Sequence, residues 1–326
     1  MKLTILGTGN ATVTECYNTC FALSDGNRHF LVDTGGGNRI LKVLKDTGIQ
    51  LEDIHDIFIT HEHIDHLLGV IWLIRMIGQK KIGQGKYEGN LRIYCHEELA
   101  RSIRMIAELT IQKKVTKYFD DRILFVPVHH GETKEILGCP VTFFDIFSTK
   151  AKQFGFTMLL PNGVKFTCCG DEPYNEKDYE FVKGSDWLTH EAFCLYGEAD
   201  KFKPYEKHHS TVKEACQLAE ELQIPHLILY HTEEMHLKER KELYTREGRE
   251  YYHGKMFVPD DLEVFELYIA GRAVCGKIED GRDFNKINRT ELVVQGIPMS
   301  LRMRKLCQPW LPRRSVLVVG EGEDVV

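Results

Sequence analysis

The chain opens with short apolar runs that are separated by clusters of Gly, Asn and Asp. The runs cover residues 3–6, 20–23 and 29–33. Short apolar runs bounded by turn-forming residues are typical of β-strands. The pattern therefore predicts a β-meander at the start of the domain, and helical periodicity begins only at residues 39–44.

Strand-like and helix-like segments alternate from there to residue 230. Strands dominate the middle of the chain and helices flank both ends. This arrangement favours two mixed sheets packed face to face with helices outside, an α/β fold of the αββα sandwich type. The predicted elements are a buried strand at 56–60, an apolar-faced helix at 66–77, a strand at 91–95, a helix at 97–111, strands at 123–126, 141–147, 154–159, 164–168 and 187–189, a helix at 210–222 and a strand at 226–230.

Length and charge limit the class of protein. A chain of 326 residues can form one large α/β domain, alone or with an appendage. The net charge of −6 excludes a global basic field, so a nucleic-acid substrate would need a local basic patch or a metal. No apolar run reaches the roughly 18 residues of a membrane span, and the first run meets Gly7 too early for a signal peptide. We expect a cytoplasmic protein with no membrane partner.

The ten cysteines are interpreted as free thiols, because a chain of this length without a secretory signal is not a disulfide scaffold. Cys16 and Cys20 have a spacing found in some zinc sites, but no second pair completes a tetrahedral site.

The composition of the sequence changes after residue 267. Residues 268–326 contain scattered glycines, short apolar runs and a basic cluster that includes Arg302, Arg304 and Lys305. The predicted domain therefore covers residues 1–267, and residues 268–326 are expected to be a C-terminal extension of unknown role rather than a separate functional module. The basic cluster suits contact with RNA, although a solvated face explains it equally well.

Four residues with metal-ligating side chains follow the buried strand at 56–60. His61 and His63 alternate along an extended segment, so their side chains point the same way and can bind one cation together. Asp65 and His66 are displaced by a turn and can face a second cation. Three imidazoles and a carboxylate suit zinc, and also manganese or iron. The spacing predicts a metal site.

This HxHxDH pattern resembles the signature of the metallo-β-lactamase superfamily, and the resemblance extends over about residues 1–267. Gly7-Thr8-Gly9-Asn10, Asn18-Thr19 and residues 31–35 are similar to that family's first turn, second-strand entry and third strand. The resemblance implies a four-layer αββα metallo-β-lactamase sandwich. It also implies that Asp33 braces the histidine loop instead of binding metal.

Two later motifs extend the ligand set that the resemblance implies. Gly170-Asp171 follows an apolar strand, where the family has a carboxylate that bridges two metals, and His231 ends the strand at 226–230, where the family has its last histidine. The expected ligands are His61, His63, Asp65, His66, Asp171 and His231. They would form two zinc sites that share Asp171.

Within the superfamily, two segments are most similar to ribonuclease Z. They are His190-Glu191-Ala192, at the end of a strand, and His209-Ser210-Thr211, at the start of a helix. The resemblance implies that His209 contacts the scissile phosphate and assists the leaving oxygen. Ser210 or Thr211 is expected to cap the helix.

The chain departs from the family's pattern at one ligand. The family has a further histidine between the first motif and the bridging aspartate, and here it would be expected near Phe147. Because Phe cannot bind metal, we predict a weakened first site formed by His61, His63 and Asp171. His129 and His130 offer alternative imidazoles, although a structural loop is the interpretation we adopt for them.

A second departure concerns the substrate. Ribonuclease Z usually carries a long arm for transfer RNA in this region, but only residues 148–170 separate Phe147 from Asp171. The sequence therefore favours a smaller phosphodiester, such as a cyclic nucleotide or a short oligonucleotide.

We expect a metal-dependent hydrolase, a phosphodiesterase of the ribonuclease Z type, in which Asp65 orients or deprotonates the attacking water and His209 acts on the leaving group. The alternatives are a lactone or ester hydrolase of the same fold and a catalytically impaired relative that binds metal or phosphate. A flavin-partnered di-iron oxidoreductase is disfavoured, because that branch typically has Glu in place of His63. The sequence leaves a homodimer open.

Overall fold

A computed structural model describes residues 1–267 of the chain. The first three strands form the predicted antiparallel meander, β1 (Lys2–Gly7), β2 (Cys20–Asp25) and β3 (Arg28–Val32). The predictions for residues 268–326, including the basic cluster, concern residues outside the described range, so the domain boundary stays a prediction.

The first sheet has seven strands in the order β14-β1-β2-β3-β4-β5-β6. Strands β3 to β6 run parallel to one another, so their carboxyl ends lie along one edge. The remaining strands of this sheet are β4 (Ile54–Phe58), β5 (Leu91–Cys95), β6 (Ile123–Pro127) and β14 (Val264–Glu266).

The second sheet has seven strands in the order β13-β12-β11-β10-β9-β8-β7. Strands β7 to β10 are antiparallel neighbours, whereas β10 to β13 are parallel. Its strands are β7 (Thr133–Ile136), β8 (Cys139–Asp145), β9 (Phe154–Leu159), β10 (Lys165–Cys168), β11 (Trp187–Glu191), β12 (His226–Tyr230) and β13 (Lys255–Phe257).

Aromatic side chains join the two sheets. Phe30 and Phe58 of the first sheet meet Phe156 and Phe143 of the second, with ring centroids 5.6 Å and 4.9 Å apart. Such edge-to-face and tilted pairs add to the stability gained from burial. The inner faces therefore form an aromatic core between the two sheets.

Helices cover the outer faces. Apolar residues of α1, α2 and α3 pack in one cluster with the first sheet, and residues of α5, α7 and α8 pack in another with the second. This confirms the predicted αββα sandwich. The helices are α1 (Arg39–Thr47), α2 (Ile64–Met76), α3 (Glu97–Thr110), α4 (Lys113–Thr116), α5 (Tyr179–Val182), α6 (Ala199–Phe202), α7 (Val212–Glu221) and α8 (Arg240–Gly248).

One predicted boundary is wrong in a way that affects the site. The strand expected at 141–147 ends at Asp145, and Phe147 adopts a left-handed backbone conformation with φ of 57°. A β-strand cannot continue through that conformation. The sequence analysis also missed β7, β13 and β14, which are only three or four residues long and give no clear alternation.

None of the helices in residues 1–267 combines the length and the apolar character needed to cross a membrane.

Candidate active site

Side chains from both sheets meet at the edge formed by the carboxyl ends of the parallel strands. The Oδ2 atom of Asp171 is the centre of this cluster. It lies 3.6 Å from His61 Nε2, 3.3 Å from His66 Nε2 and 3.4 Å from His231 Nε2. All four side chains are buried. The structure thus joins the histidine loop after β4 to residues that follow β10 and β12.

The potential ligand atoms form two groups that share Asp171. In the first group, His61 Nε2 lies 2.8 Å from His63 Nδ1. In the second group, Asp65 Oδ2 lies 3.3 Å from His66 Nε2 and 3.5 Å from His231 Nε2. The ligand atoms that lie close enough to share a cation form the buried groups His61, His66 and Asp171, and Asp65, His66 and His231. The predicted assignment of His63 to the first site and of His66 to the second alone stays a prediction.

Asp33 holds the histidine loop in place. Its Oδ1 accepts a hydrogen bond from the backbone N–H of Thr60 at 2.8 Å, and its Oδ2 accepts from the Thr60 hydroxyl at 2.8 Å and from His66 Nδ1 at 2.7 Å. With Nδ1 engaged in this way, the lone pair of His66 Nε2 is directed at the cluster. The prediction that Asp33 is a bracing residue is confirmed by these contacts.

The cluster has the properties of a cation site. Within residues 1–267, the Nε2 atom of His66 and both ring nitrogens of His231 are buried and make no hydrogen bond. Buried polar atoms normally have partners. The Nε2 atoms of His66 and His231, which lie 3.3 and 3.4 Å from Asp171 Oδ2, therefore fit ligands of a bound cation. Burial raises the pKa of Asp171, but His61, His66 and His231 outweigh that effect and hold this pKa well below its usual range. The Asp171 carboxyl is therefore an anion, as a metal ligand must be.

His209 lies beside this cluster. Its Nδ1 is 2.9 Å from the backbone oxygen of Asp171, and its ring stacks on Phe193 with centroids 4.9 Å apart. The ring centroid of His231 is 5.1 Å away. Burial lowers the pKa of His209 to about 3, so the ring is neutral in this state and donates its single proton to the Asp171 carbonyl.

Glu191 supports the segment that carries His209. Its Oε1 accepts hydrogen bonds from the backbone N–H and the hydroxyl of Ser210, the latter at 2.6 Å. Its Oε2 is buried without a hydrogen-bond partner among the described residues and lies 3.7 Å from His209 Nδ1. Glu191 belongs to a segment singled out in the sequence, but no role was predicted for it.

The cap of helix α7 is Thr211, one of the two residues that the sequence offered for this role. Thr211 forms a capping box with Glu214.

Comparison with known proteins defines the family. The sequence matches the family described as anti-Pycsar protein Apyc1 over residues 1–248. The chain belongs to this family. It is also 26% identical to ribonuclease Z of Thermococcus sibiricus over 317 residues, which cover 82% of this chain and 96% of that protein.

Solved structures show the same fold. The metallo-β-lactamase fold protein YhfI of Bacillus subtilis is similar with a TM-score of 0.65 and 18% identity, over 81% of this chain and 98% of that one. The short form of human tRNase Z has a TM-score of 0.63 and 22% identity, over 82% of this chain and 100% of that one. This member of the Apyc1 family thus has the metallo-β-lactamase fold and is similar in sequence to ribonuclease Z.

In this member of the family, Phe147 lies outside the strand in which it was predicted. Its ring packs against His130, with centroids 5.6 Å apart, and under the Lys177 ammonium at 4.5 Å. The physical reason is the early end of β8 at Asp145, after which the left-handed turn at Phe147 redirects the chain. The Phe147 ring therefore does not take the place of the missing third histidine in the first group of ligands.

The side chain of this segment that reaches the cluster is Gln153, for which the sequence predicted no role. It is 1% exposed, and its Nε2 lies 2.8 Å from His61 Nδ1 and donates to Asp171 Oδ1. The only signal in the sequence is a polar residue directly before the buried strand β9.

The alternative histidines have structural positions. His130 Nδ1 accepts a hydrogen bond from the backbone of Asp145 at 3.2 Å, and the backbone of His129 donates to Glu132 at 3.0 Å. These contacts confirm the structural loop.

His190, which belongs to the segment similar to ribonuclease Z, is buried and forms a hydrogen bond of 2.7 Å with the Glu191 backbone carbonyl. Burial lowers the pKa of His190 to about 4.

Proposed function

We propose that the protein is a metal-dependent phosphodiesterase that acts on a small substrate, such as a cyclic nucleotide or a short oligonucleotide. The observation that carries this proposal is the Asp171 carboxylate, whose Oδ2 is shared between two groups of imidazoles with His209 alongside. This chain resembles proteins named ribonuclease Z and tRNase Z, and ribonucleases hydrolyse phosphodiester bonds, which supports the same chemistry here.

The proposed metal ligands are those predicted from the sequence. His61, His63 and Asp171 would hold one cation, and Asp65, His66, Asp171 and His231 the other. Four imidazoles and two carboxylates favour zinc, with manganese or iron as the alternatives. When bound, a divalent cation polarises the scissile group and lowers the pKa of a water molecule toward about 7.

The chain's own residues do the rest. Asp65, whose carboxylate borders His66 and His231, orients or deprotonates the attacking water. The neutral ring of the empty site keeps its proton on Nδ1 against the Asp171 carbonyl. When the anionic phosphoryl group binds beside the ring, its charge favours uptake of a second proton from solvent at Nε2, and His209 passes that proton to the leaving oxygen. Phe193, stacked on His209, fixes the plane of that ring and excludes water from one of its faces.

The course of the chain between the two halves of the site supports a small substrate. Residues 148–170 form a short loop and the antiparallel pair β9 and β10, whose register runs from Lys165 opposite Leu159 to Cys168 opposite Phe156. No arm projects from this segment. A substrate as large as transfer RNA would therefore lack the grip that an arm provides.

The decisive experiment combines metal analysis with a substrate panel. The purified full chain is assayed with zinc, manganese or iron on bis-p-nitrophenyl phosphate, cyclic mononucleotides, short oligonucleotides, precursor transfer RNA and a lactone. We expect one to two metals per chain and hydrolysis of the small phosphodiesters. Lactone hydrolysis alone would establish the ester-hydrolase alternative, and bound ligand without turnover would establish the impaired relative.

A matched pair of variants on β12 ties the activity to the site. His231→Ala removes a proposed ligand and should abolish turnover and lower metal content. His226→Ala changes the same residue type at the other end of the same strand, where the ring stacks on Trp187 with centroids 4.3 Å apart. We expect that variant, if folded, to keep its metal and its turnover.

The cytoplasmic setting and the homodimer remain predictions. The eight cysteines of the described residues are buried free thiols, which suits a reducing compartment. Light scattering coupled to size-exclusion chromatography measures the oligomeric state.

A further inference from the structure

The two oxygens of the Asp171 carboxylate have different surroundings. Oδ2 faces the Nε2 atoms of His61, His66 and His231 at 3.3 to 3.6 Å. Oδ1 instead accepts a hydrogen bond from Gln153 Nε2. A hydrogen bond at one oxygen disfavours rotation about the Cβ–Cγ bond, so it also restrains the direction of the other oxygen.

Gln153 reaches this position because the backbone opposite it has no side chain. A Cβ atom placed on Gly170 would lie 3.0 to 3.2 Å from three atoms of the Gln153 carboxamide. Gly170 also has φ of 76°, a conformation that favours glycine. The Tyr230 hydroxyl bonds the Gly170 carbonyl at 2.6 Å and fixes this turn directly before Asp171. The carboxamide and the carboxylate are therefore fitted to each other.

We propose that Gln153 is a positioning residue for the metal centre: its amide group holds Asp171 Oδ1, so that Oδ2 alone spans the two metal positions. The inference rests on the proposed function and deepens it. It also explains how a first site that lacks its third histidine could still bind a cation, because the shared Asp171 carboxylate is already oriented in the metal-free protein. Groups that orient metal ligands in this way typically contribute 10- to 100-fold to metal affinity.

Two alternatives give different results on substitution. Gln153 Oε1 is buried without a hydrogen-bond partner among the described residues, so the side chain is also able to offer an oxygen directly to a cation. A carboxylate oxygen is a stronger ligand than an amide oxygen, so Gln153→Glu would then tighten metal binding. A side chain that only fills space would be replaced without loss by Met, which has a similar length and no polar group.

The test measures zinc affinity by competition with a chromophoric chelator, and cobalt coordination from the visible spectrum, for the full chain and three variants. Gln153→Glu keeps the shape, removes the donor and places a second carboxylate against Asp171. Gln153→Met removes the donor without adding charge. Gln50→Glu makes the same charge change at an exposed residue and is the control.

We expect both Gln153 variants to bind zinc about 10- to 100-fold more weakly than the wild type, with Gln153→Glu the weaker, and to change the cobalt spectrum. Gln50→Glu should match the wild type. Tighter binding by Gln153→Glu would show direct ligation, and unchanged affinity in Gln153→Met would show a packing role; either result overturns the proposal. A wild-type protein that binds zinc and hydrolyses nothing would refute the proposed function while leaving this comparison of affinities intact.

Discussion

His209 and Asp171 are joined by a hydrogen bond of 2.9 Å from the imidazole Nδ1 to the backbone carbonyl, so the proposed leaving-group residue is attached to the residue that carries the shared carboxylate. The contact uses main-chain oxygen and leaves both carboxylate oxygens of Asp171 for Gln153 and the imidazoles. Any shift of the turn at Asp171 therefore moves His209 and the metal ligands together.

Removal of His209 should slow the departure of poor leaving groups most. We expect His209→Ala to lower kcat by about 10²- to 10⁴-fold on a substrate with an alkoxide leaving group, and by less on bis-p-nitrophenyl phosphate, because p-nitrophenolate leaves without a proton. Steady-state kinetics on both substrates checks this. His208→Ala is the control, since His208 is exposed and its ring bonds Thr149 at 2.9 Å. Equal losses on both substrates would contradict the leaving-group role.

Mild chelation should remove one metal before the other. Asp65, His66 and His231 form one compact buried group with Asp171 beside it, whereas the proposed group with His61 and His63 has no third imidazole. We expect elemental analysis to find closer to one metal than two per chain after dialysis against a weak chelator. Two metals that both survive would mean that another side chain completes the first site.

Placing a histidine at residue 147 should not restore the first site. The Phe147 ring packs against His130 and Lys177, so an imidazole there would adopt those contacts. We expect Phe147→His to show wild-type zinc affinity and lowered stability, because apolar packing is lost. Isothermal titration with zinc, alongside thermal unfolding, measures both. A clear gain in zinc affinity would show that residue 147 can reach the cluster.

Asp178 should make stability depend on pH. Burial raises the pKa of this carboxyl to about 7, with the Asp145 charge adding to the effect, and its Oδ1 has no hydrogen-bond partner within residues 1–267. The folded protein thus keeps a proton that the unfolded chain loses near pH 4. Stability is fully present below pH 4, falls as pH rises to 7 and is level above that.

Asp178→Asn removes this dependence. The quantity to measure is the unfolding free energy of the variant minus that of the wild type, from urea denaturation of the metal-free proteins. We expect this difference to be about 2–4 kcal/mol larger at pH 8 than at pH 4. Asp200→Asn, at an exposed position, should show no such gain. A gain of equal size at both pH values would mean that the carboxyl is already ionised at pH 4.

Local spacing revealed part of the site, and tertiary structure revealed the rest. His61, His63, Asp65 and His66 lie within six residues after a buried strand, so their chemistry is visible in the sequence itself. Asp171 and His231 carry no such spacing, and only the order of motifs in a known superfamily identifies them. Their convergence on His66 follows from the parallel strands β10 to β12, which end at the same edge.

Gln153 was not predictable in this way. Its partners His61 and Asp171 lie 92 residues before it and 18 residues after it, and a single glutamine has no ligand-like spacing. Phe147 was misplaced because apolar residues continue for two positions beyond the end of β8, where only the backbone turn ends the strand. Short edge strands such as β13 and β14 depend on pairing with distant neighbours and have too few residues for a pattern.

The pairing of β14 with β1 has a consequence for how the protein is made. Lys2 lies opposite Glu266 and Leu3 opposite Phe265, and Asp261 accepts hydrogen bonds from Thr8 and Tyr17 near the amino terminus. During translation, β1 leaves the ribosome long before β14, so the outer edge of β1 stays unpaired until β14 has been made. The amino-terminal sheet is completed only after residue 266 has cleared the exit tunnel, so the final folding step of this domain follows the synthesis of nearly its whole length.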